Sequence, residues 1–113
     1  MRQAQSDTER GVRSMFARTI TVRFKVDRVD EAIRIYEQNI VPIARSLEGY
    51  KGIYLLVDRE TGNGISLSLW SEEEGAVAGK QGGRFAEEMP KLADVMTVPP
   101  VAESFECPVS YVR

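Results

Sequence analysis

The sequence predicts an α+β fold of order β-α-β-β-α-β, a ferredoxin-like antiparallel sheet with both helices on one face. Three patterns carry this expectation. Alternation of period two runs from Phe16 to Phe24, one apolar stripe at helical spacing runs from Val29 to Leu47, and two further alternating segments flank a glycine-rich turn near Gly62. At 113 residues the chain suits a single core, so we expect one domain over 15–113 behind a mobile N-terminal arm, Met1–Ser14.

In the first strand Ile20, Val22 and Phe24 alternate with Thr19, Thr21 and Arg23, the pattern of a half-buried ladder. Asp27 is placed to cap the helix that follows, with Asp30 and Glu31 at its positive end. Val29, Ile33, Tyr36, Ile40, Ile43 and Leu47 then recur at steps of four and three until Gly49 ends the helix, and Pro42 within it predicts a kink or a tightened last turn. Ile53, Leu55 and Val57 form one face of the second strand. Residues Glu60 to Gly64 turn the hairpin, and Ile65, Leu67 and Leu69 alternate with Ser66, Ser68 and Trp70 in the third.

Ser71 followed by Glu72, Glu73 and Glu74 resembles a capping box opening a second helical region. Gly79, Gly82, Gly83 and Pro90 interrupt that region, which predicts two short helices, with Phe85, Met89, Leu92 and Met96 on the apolar side. Phe105, Cys107, Val109 and Tyr111 form the final strand, at an edge because Pro108 cannot donate to a ladder.

Composition excludes several chemistries. The chain has no histidine, which removes the commonest general base and metal ligand, and with it serine–histidine triads and histidine-held zinc or haem. Cys107 is alone, so it makes neither an internal disulfide nor a thiolate zinc site and reads as a structural thiol. No metal site is expected. A net charge of −2 gives no reason to expect nucleic-acid binding, and neither a signal peptide nor a membrane span is apparent, so the expected setting is cytoplasmic. Lys51 to Val57 lacks the stacking aromatics of an RNA-recognition strand, and Gly79 to Gly83 lacks the spacing of a phosphate loop.

With Ile20/Val22/Phe24, Ile53/Leu55/Val57 and Ile65/Leu67/Leu69 turned to the helices, the other face carries Thr19, Thr21, Arg23, Tyr54, Leu56, Ser66, Ser68, Trp70 and Glu106. That mixture of hydroxyls, aromatics and one leucine suits contact with a second copy or a pocket better than open water.

The run Pro42-Ile43-Ala44-Arg45-Ser46-Leu47-Glu48-Gly49-Tyr50-Lys51-Gly52, the turn Asp58-Arg59-Glu60-Thr61-Gly62 and the segment Leu67-Ser68-Leu69-Trp70-Ser71-Glu72-Glu73-Glu74 together resemble the antibiotic-biosynthesis monooxygenase family. The resemblance extends from about Phe16 to Arg113. It implies a homodimeric α+β barrel in which two sheets pack face to face, and a cofactor-free monooxygenase acting on a small aromatic or quinol-type metabolite. The haem-degrading branch of that superfamily uses a histidine in the helix after the tryptophan strand, where this chain has Lys80. In the polyketide oxygenases an asparagine stands four residues before that tryptophan; here the position is Ser66.

Such chemistry needs an electron-rich substrate, a dry pocket and a group that holds a developing oxyanion. Arg23, Arg84 and Glu106 are the expected catalytic residues: the arginines supply positive charge, and Glu106 is the one carboxylate expected on the cavity face. Trp70, Tyr54, Ser66 and Ser68 are the expected substrate-binding residues, Trp70 as a stacking wall and the others as hydroxyl donors. A non-catalytic barrel that binds a small molecule or builds an assembly is the competing expectation.

Overall fold

The computed structural model describes residues 15–72 and 83–112, apart from the side chains of residues 83, 84 and 86. The expected arm, 1–14, and Glu73, Glu74, Gly79, Lys80 and Gly82 of the second helical region lie outside the described residues. Four strands, β1 (Met15–Arg23), β2 (Tyr50–Val57), β3 (Asn63–Trp70) and β4 (Val101–Cys107), form one antiparallel sheet in the order β2-β3-β1-β4. The ferredoxin-like α+β expectation is met.

The first crossover is a continuous helical run. A 3₁₀ turn, Val26–Arg28, leads into α1 (Val29–Ile35), a π-helical turn, Tyr36–Ile40, and α2 (Val41–Ser46). Pro42 explains the π turn. It has no N–H, and its ring crowds the carbonyl four residues back, so the helix widens just before it and the Val41 N–H reaches the Tyr36 carbonyl instead. Asp27 does not cap this run; it sits inside the 3₁₀ turn, and the start is fixed by the Lys25 N–H donating to the Val95 carbonyl (2.8 Å).

The second crossover contains α3 (Gly83–Ala93), which carries Pro90. Its end is sewn to the end of β1. Thr97 N–H donates to Arg23 O (2.8 Å), Phe24 bridges Met96, and Arg28 makes a two-pronged pair with Glu31 while also reaching Asp94 (3.1 Å). Arg28 holds the Glu31 carboxyl below its ordinary range. The main core lies between sheet and helices, with Phe24, Val29, Ala32, Val95 and Leu92 almost fully buried.

Two turns require glycine. Gly62 closes the β2–β3 hairpin at φ +83°, and a Cβ there would run into the Phe24 carbonyl oxygen. Asp58 organises the same turn by accepting the Glu60 N–H (2.9 Å). Gly49, at φ +86°, ends the turn after α2 and accepts the Ser71 N–H (2.8 Å).

β3 faces opposite to the expectation. Pairing with both neighbours puts Gly64, Ser66, Ser68 and Trp70 beside Val22, Ile20, Arg18 and Phe16 on the inner face, toward the helices, and turns Ile65, Leu67 and Leu69 outward. The reason is space: a Cβ at Gly64 would lie 3.0 Å from the Leu56 carbonyl oxygen and 3.1 Å from a Val22 methyl, so the inner row of this strand is built from small residues and a terminal Trp70. β1 and β2 face as expected. The final strand is an edge strand as expected, but it begins at Val101 and stops before Pro108, leaving Val109 and Tyr111 beyond it and exposed.

Candidate functional site

A cavity of about 110 Å³ lies between the inner face and the helices. Its floor is an antiparallel lattice: Arg18, Ile20 and Val22 from β1, Ser66, Ser68 and Trp70 from β3, Ile53 and Leu55 from β2. Tyr36, Ile40 and Ala44 from the first helical run and Phe85, Met89 and Leu92 from α3 close the top. The small side chains of β3 make the room, since the residues around them are large. Asn39 Nδ2 donates to Glu88 Oε1 (2.7 Å), tying the π turn to α3 across this roof.

Among the described residues the lining is apolar except at four side chains. Tyr36 Oη and Ser66 Oγ lie 2.6 Å apart, and Tyr36 also approaches the Tyr54 carbonyl at 3.4 Å. Burial pushes the Tyr36 phenol up to about 12 and outweighs its bond to Ser66, so Tyr36 stays neutral near pH 7 and is a donor there. When its proton goes to Ser66 Oγ, the Ser66 proton is free to point elsewhere. Trp70, 1% exposed, donates its Nε1–H to Ser68 Oγ (2.9 Å) and meets the Tyr50 ring edge-on at 6.2 Å. The π turn before Pro42 brings both Tyr36 and Ile40 to the roof.

Arg18 is the fourth polar group and the only charged one lining the cavity among the described residues. It is partly buried, and burial pulls its guanidinium below the ordinary value; an arginine side chain stays charged in proteins all the same. Among the described residues no carboxylate or other side chain pairs with it.

The structure therefore divides the expected site. Ser66, Ser68 and Trp70 come together at the cavity. Arg23 and Tyr54 lie on the outer face, because β1 and β2 alternate and both fall on the parity of Thr19 and Leu67; Tyr54 meets the site only through its backbone carbonyl. Glu106 shares the inner-face row through Phe16 but stands exposed on the edge strand, outside the cavity lining. The Arg84 side chain lies outside the described residues. Arg18 and Tyr36 were not expected. Arg18 is two residues before Ile20 on the same alternation, a sufficient signal, whereas Tyr36 is indistinguishable in the sequence from its apolar neighbours on the helical stripe.

Among the described residues no three His, Cys, Asp or Glu side chains gather closely enough to hold a metal ion, and no helix is long and apolar enough to cross a membrane.

A four-stranded split βαβ sheet with a cavity roofed by its helices defines the class, and solved structures of that class superpose on this chain. A protein described as a candidate antibiotic biosynthesis monooxygenase from Nitrosomonas europaea matches over 81% of this chain and 88% of its own, with TM-score 0.70 and 14% identity. A monooxygenase from the gene ActVA-Orf6 of Streptomyces coelicolor, in complex with the ligand nanaomycin D, matches over 88% and 93%, with TM-score 0.73 and 12% identity. Rv0793 from Mycobacterium tuberculosis matches over 88% and 100%, with TM-score 0.68 and 12% identity. The chain thus has the fold of the antibiotic-biosynthesis monooxygenases, and the sequence resemblance holds at the level of fold. No family model matches the sequence. Two Mycobacterium tuberculosis relatives, the uncharacterized proteins MT2634 and Rv2557, are each 28% identical over 67 residues, which is 59% of this chain and 30% of the relative's own length.

Proposed function

We propose that this chain is a cofactor-independent monooxygenase for a small electron-rich aromatic, a quinol or related phenol, and works as a homodimer. The observation that carries the reading is the cavity: a mostly apolar slot beside Trp70, with a Tyr36–Ser66 hydroxyl pair set into one wall, in a fold shared with a monooxygenase solved in complex with nanaomycin D. The ring packs against Trp70 and the apolar roof. The Tyr36–Ser66 pair donates to the substrate's phenolic oxygen and stabilises its anion.

No described lining group is a base near neutral pH, since Tyr36 is protonated and the serines are too weakly acidic. The substrate therefore enters as its anion or loses its proton to water. The anion reduces dioxygen; one oxygen atom stays on a substrate carbon, the other leaves as water with two substrate hydrogens, and the substrate supplies all four electrons. The protein's part is to orient the ring and keep bulk water from the anion.

The outer sheet face supports the dimer. Leu56, Ile65 and Tyr54 stand 53%, 41% and 50% exposed beside Leu67 and Leu69, and Phe105 extends the patch onto β4. Apolar surface of that continuity seeks cover, and a second copy of the same face is self-complementary.

Oxygen-electrode assays with a panel of hydroquinones and anthrones test the activity. Uptake above the uncatalysed rate, reduced in Trp70→Phe and Ser66→Ala, is the expected result; no uptake across the panel leaves the binding-module reading, which the lack of a base among the described lining residues favours.

A further inference from the structure

We propose that the cavity selects an aromatic that carries a fixed anion, a carboxylate on the ring in addition to the phenolic hydroxyl, and that Arg18 is the residue that recognises it. The proposal deepens the aromatic-ligand reading above and rests on it.

Arg18 is a cation held partly out of water beside apolar side chains, with no counter-charge among the described residues. Such a group is costly to bury alone, and proteins ordinarily pair it. The carboxylate nearest in register on the inner face is Glu106, diagonal to Arg18 across the β1–β4 ladder, yet the two form no ion pair. The other polar side chains of the described lining have side-chain partners, Tyr36 with Ser66 and Trp70 with Ser68, and all of them are uncharged near pH 7. No described side chain takes up the Arg18 donors, and a planar guanidinium matches a carboxylate with two parallel bonds.

Position adds a second argument. On the inner face Arg18 pairs directly with Ser68, and Ser66 is one inner-face step further along β3. That step is about 7 Å, two residues of extended strand. The spacing suits one benzene ring bridging the two groups, its hydroxyl at Tyr36–Ser66 and its carboxylate toward Arg18. A cavity of about 110 Å³ also suits a single ring.

Three probes separate the features: 2,5-dihydroxybenzoate, its methyl ester, and hydroquinone. Trp70 is the one tryptophan of the chain, so its fluorescence reports entry to the cavity while calorimetry gives the dissociation constants. The acid is expected to bind the wild-type protein at least about tenfold more tightly than the ester at low salt, a typical worth for a charge-assisted hydrogen bond. Arg18→Met should shrink that preference to within twofold, and Arg18→Lys should retain most of it, provided circular dichroism shows both variants folded. Equal binding of acid and ester to the wild type overturns the proposal, as does a preference that survives in Arg18→Met, or saturation by none of the probes. The wild-type comparison stands even if a variant does not fold. Oxygen uptake is read separately: acid-selective binding without uptake sinks the oxygenase reading and leaves Arg18 its role, whereas uptake of hydroquinone with no acid preference does the reverse.

Discussion

The inner and outer faces of this one sheet are built on opposite rules. Inside, where helices cover it, β3 presents Gly64, Ser66 and Ser68, small and partly polar residues that leave a gap. Outside, where no described element covers it, the same strand presents Ile65, Leu67 and Leu69. A sheet that only had to fold would reverse this, burying its aliphatic row and exposing its serines. The arrangement fits the occupants proposed above, a ligand in the inner gap and a second copy of the chain on the outer row.

The largest contrast should appear on truncating one aromatic from each face. Trp70→Ala removes a fully buried indole together with its hydrogen bond to Ser68, and should cost about 4 kcal/mol in urea unfolding. Phe105→Ala, half exposed on the edge strand, should cost under about 1 kcal/mol when measured on dilute monomer. Similar losses at both positions would mean that the outer aromatic is as well packed as the inner one, and the division between faces would fail.

The next effect concerns assembly. Leu56→Lys with Ile65→Lys places two charges in the outer patch, where each costs little in a monomer but is desolvated or repelled in a face-to-face pair. Sedimentation velocity should show a wild-type dimer and a variant weakened at least about a hundredfold, a change of roughly 2.7 kcal/mol. A wild-type protein that runs as a monomer at micromolar concentration would remove the barrel.

These two rules also explain what the sequence made legible. Period two and period 3.6 located β1, β2 and the helical stripe correctly, and Pro108 marked the edge strand, because in those elements the apolar side is the covered side. β3 misled because its aliphatic parity is the exposed one. Gly64 and Trp70 share the other parity, and that a Cβ at Gly64 would crowd Leu56 and Val22 is visible only once the strands are paired. In the site, Ser66, Ser68 and Trp70 were recognisable as a set while their face was not. Arg18 was missed because the alternation was read from Thr19 onward, and Tyr36 because its hydroxyl partner comes from 30 residues away.

A smaller effect tests the polar pair of the inner face through pH. The Tyr36 pKa is raised from 10.0 to about 12 in the folded protein, chiefly by burial, so the fold favours the neutral phenol. Its contribution is complete below about pH 10 and is lost as pH rises through 12, worth about 3 kcal/mol across that window. Tyr36→Phe has nothing to ionise. At pH 8 the variant should be the less stable, by about 1 kcal/mol for the lost bond to Ser66, and the gap should close and then reverse as pH climbs from 10 toward 12. A constant gap would place Tyr36 in contact with water.

The smallest effect comes from two arginines on one strand. Arg18 and Arg23 are five residues apart on β1, an odd separation, so the pleat sends them to opposite faces. Arg23 is exposed beside Thr21 at the rim of the outer patch and has no part in the cavity lining. Arg23→Gln should therefore shift unfolding by less than about 0.5 kcal/mol, as exposed substitutions do, and should change the affinity for 2,5-dihydroxybenzoate by less than twofold. If Arg23→Gln weakens that binding as much as Arg18→Met does, the selectivity for acids arises from the general field of the strand's cations, and a guanidinium at the cavity wall is not needed to explain it. A loss confined to Arg18 would tie the selectivity to one face, the one whose small residues make the cavity.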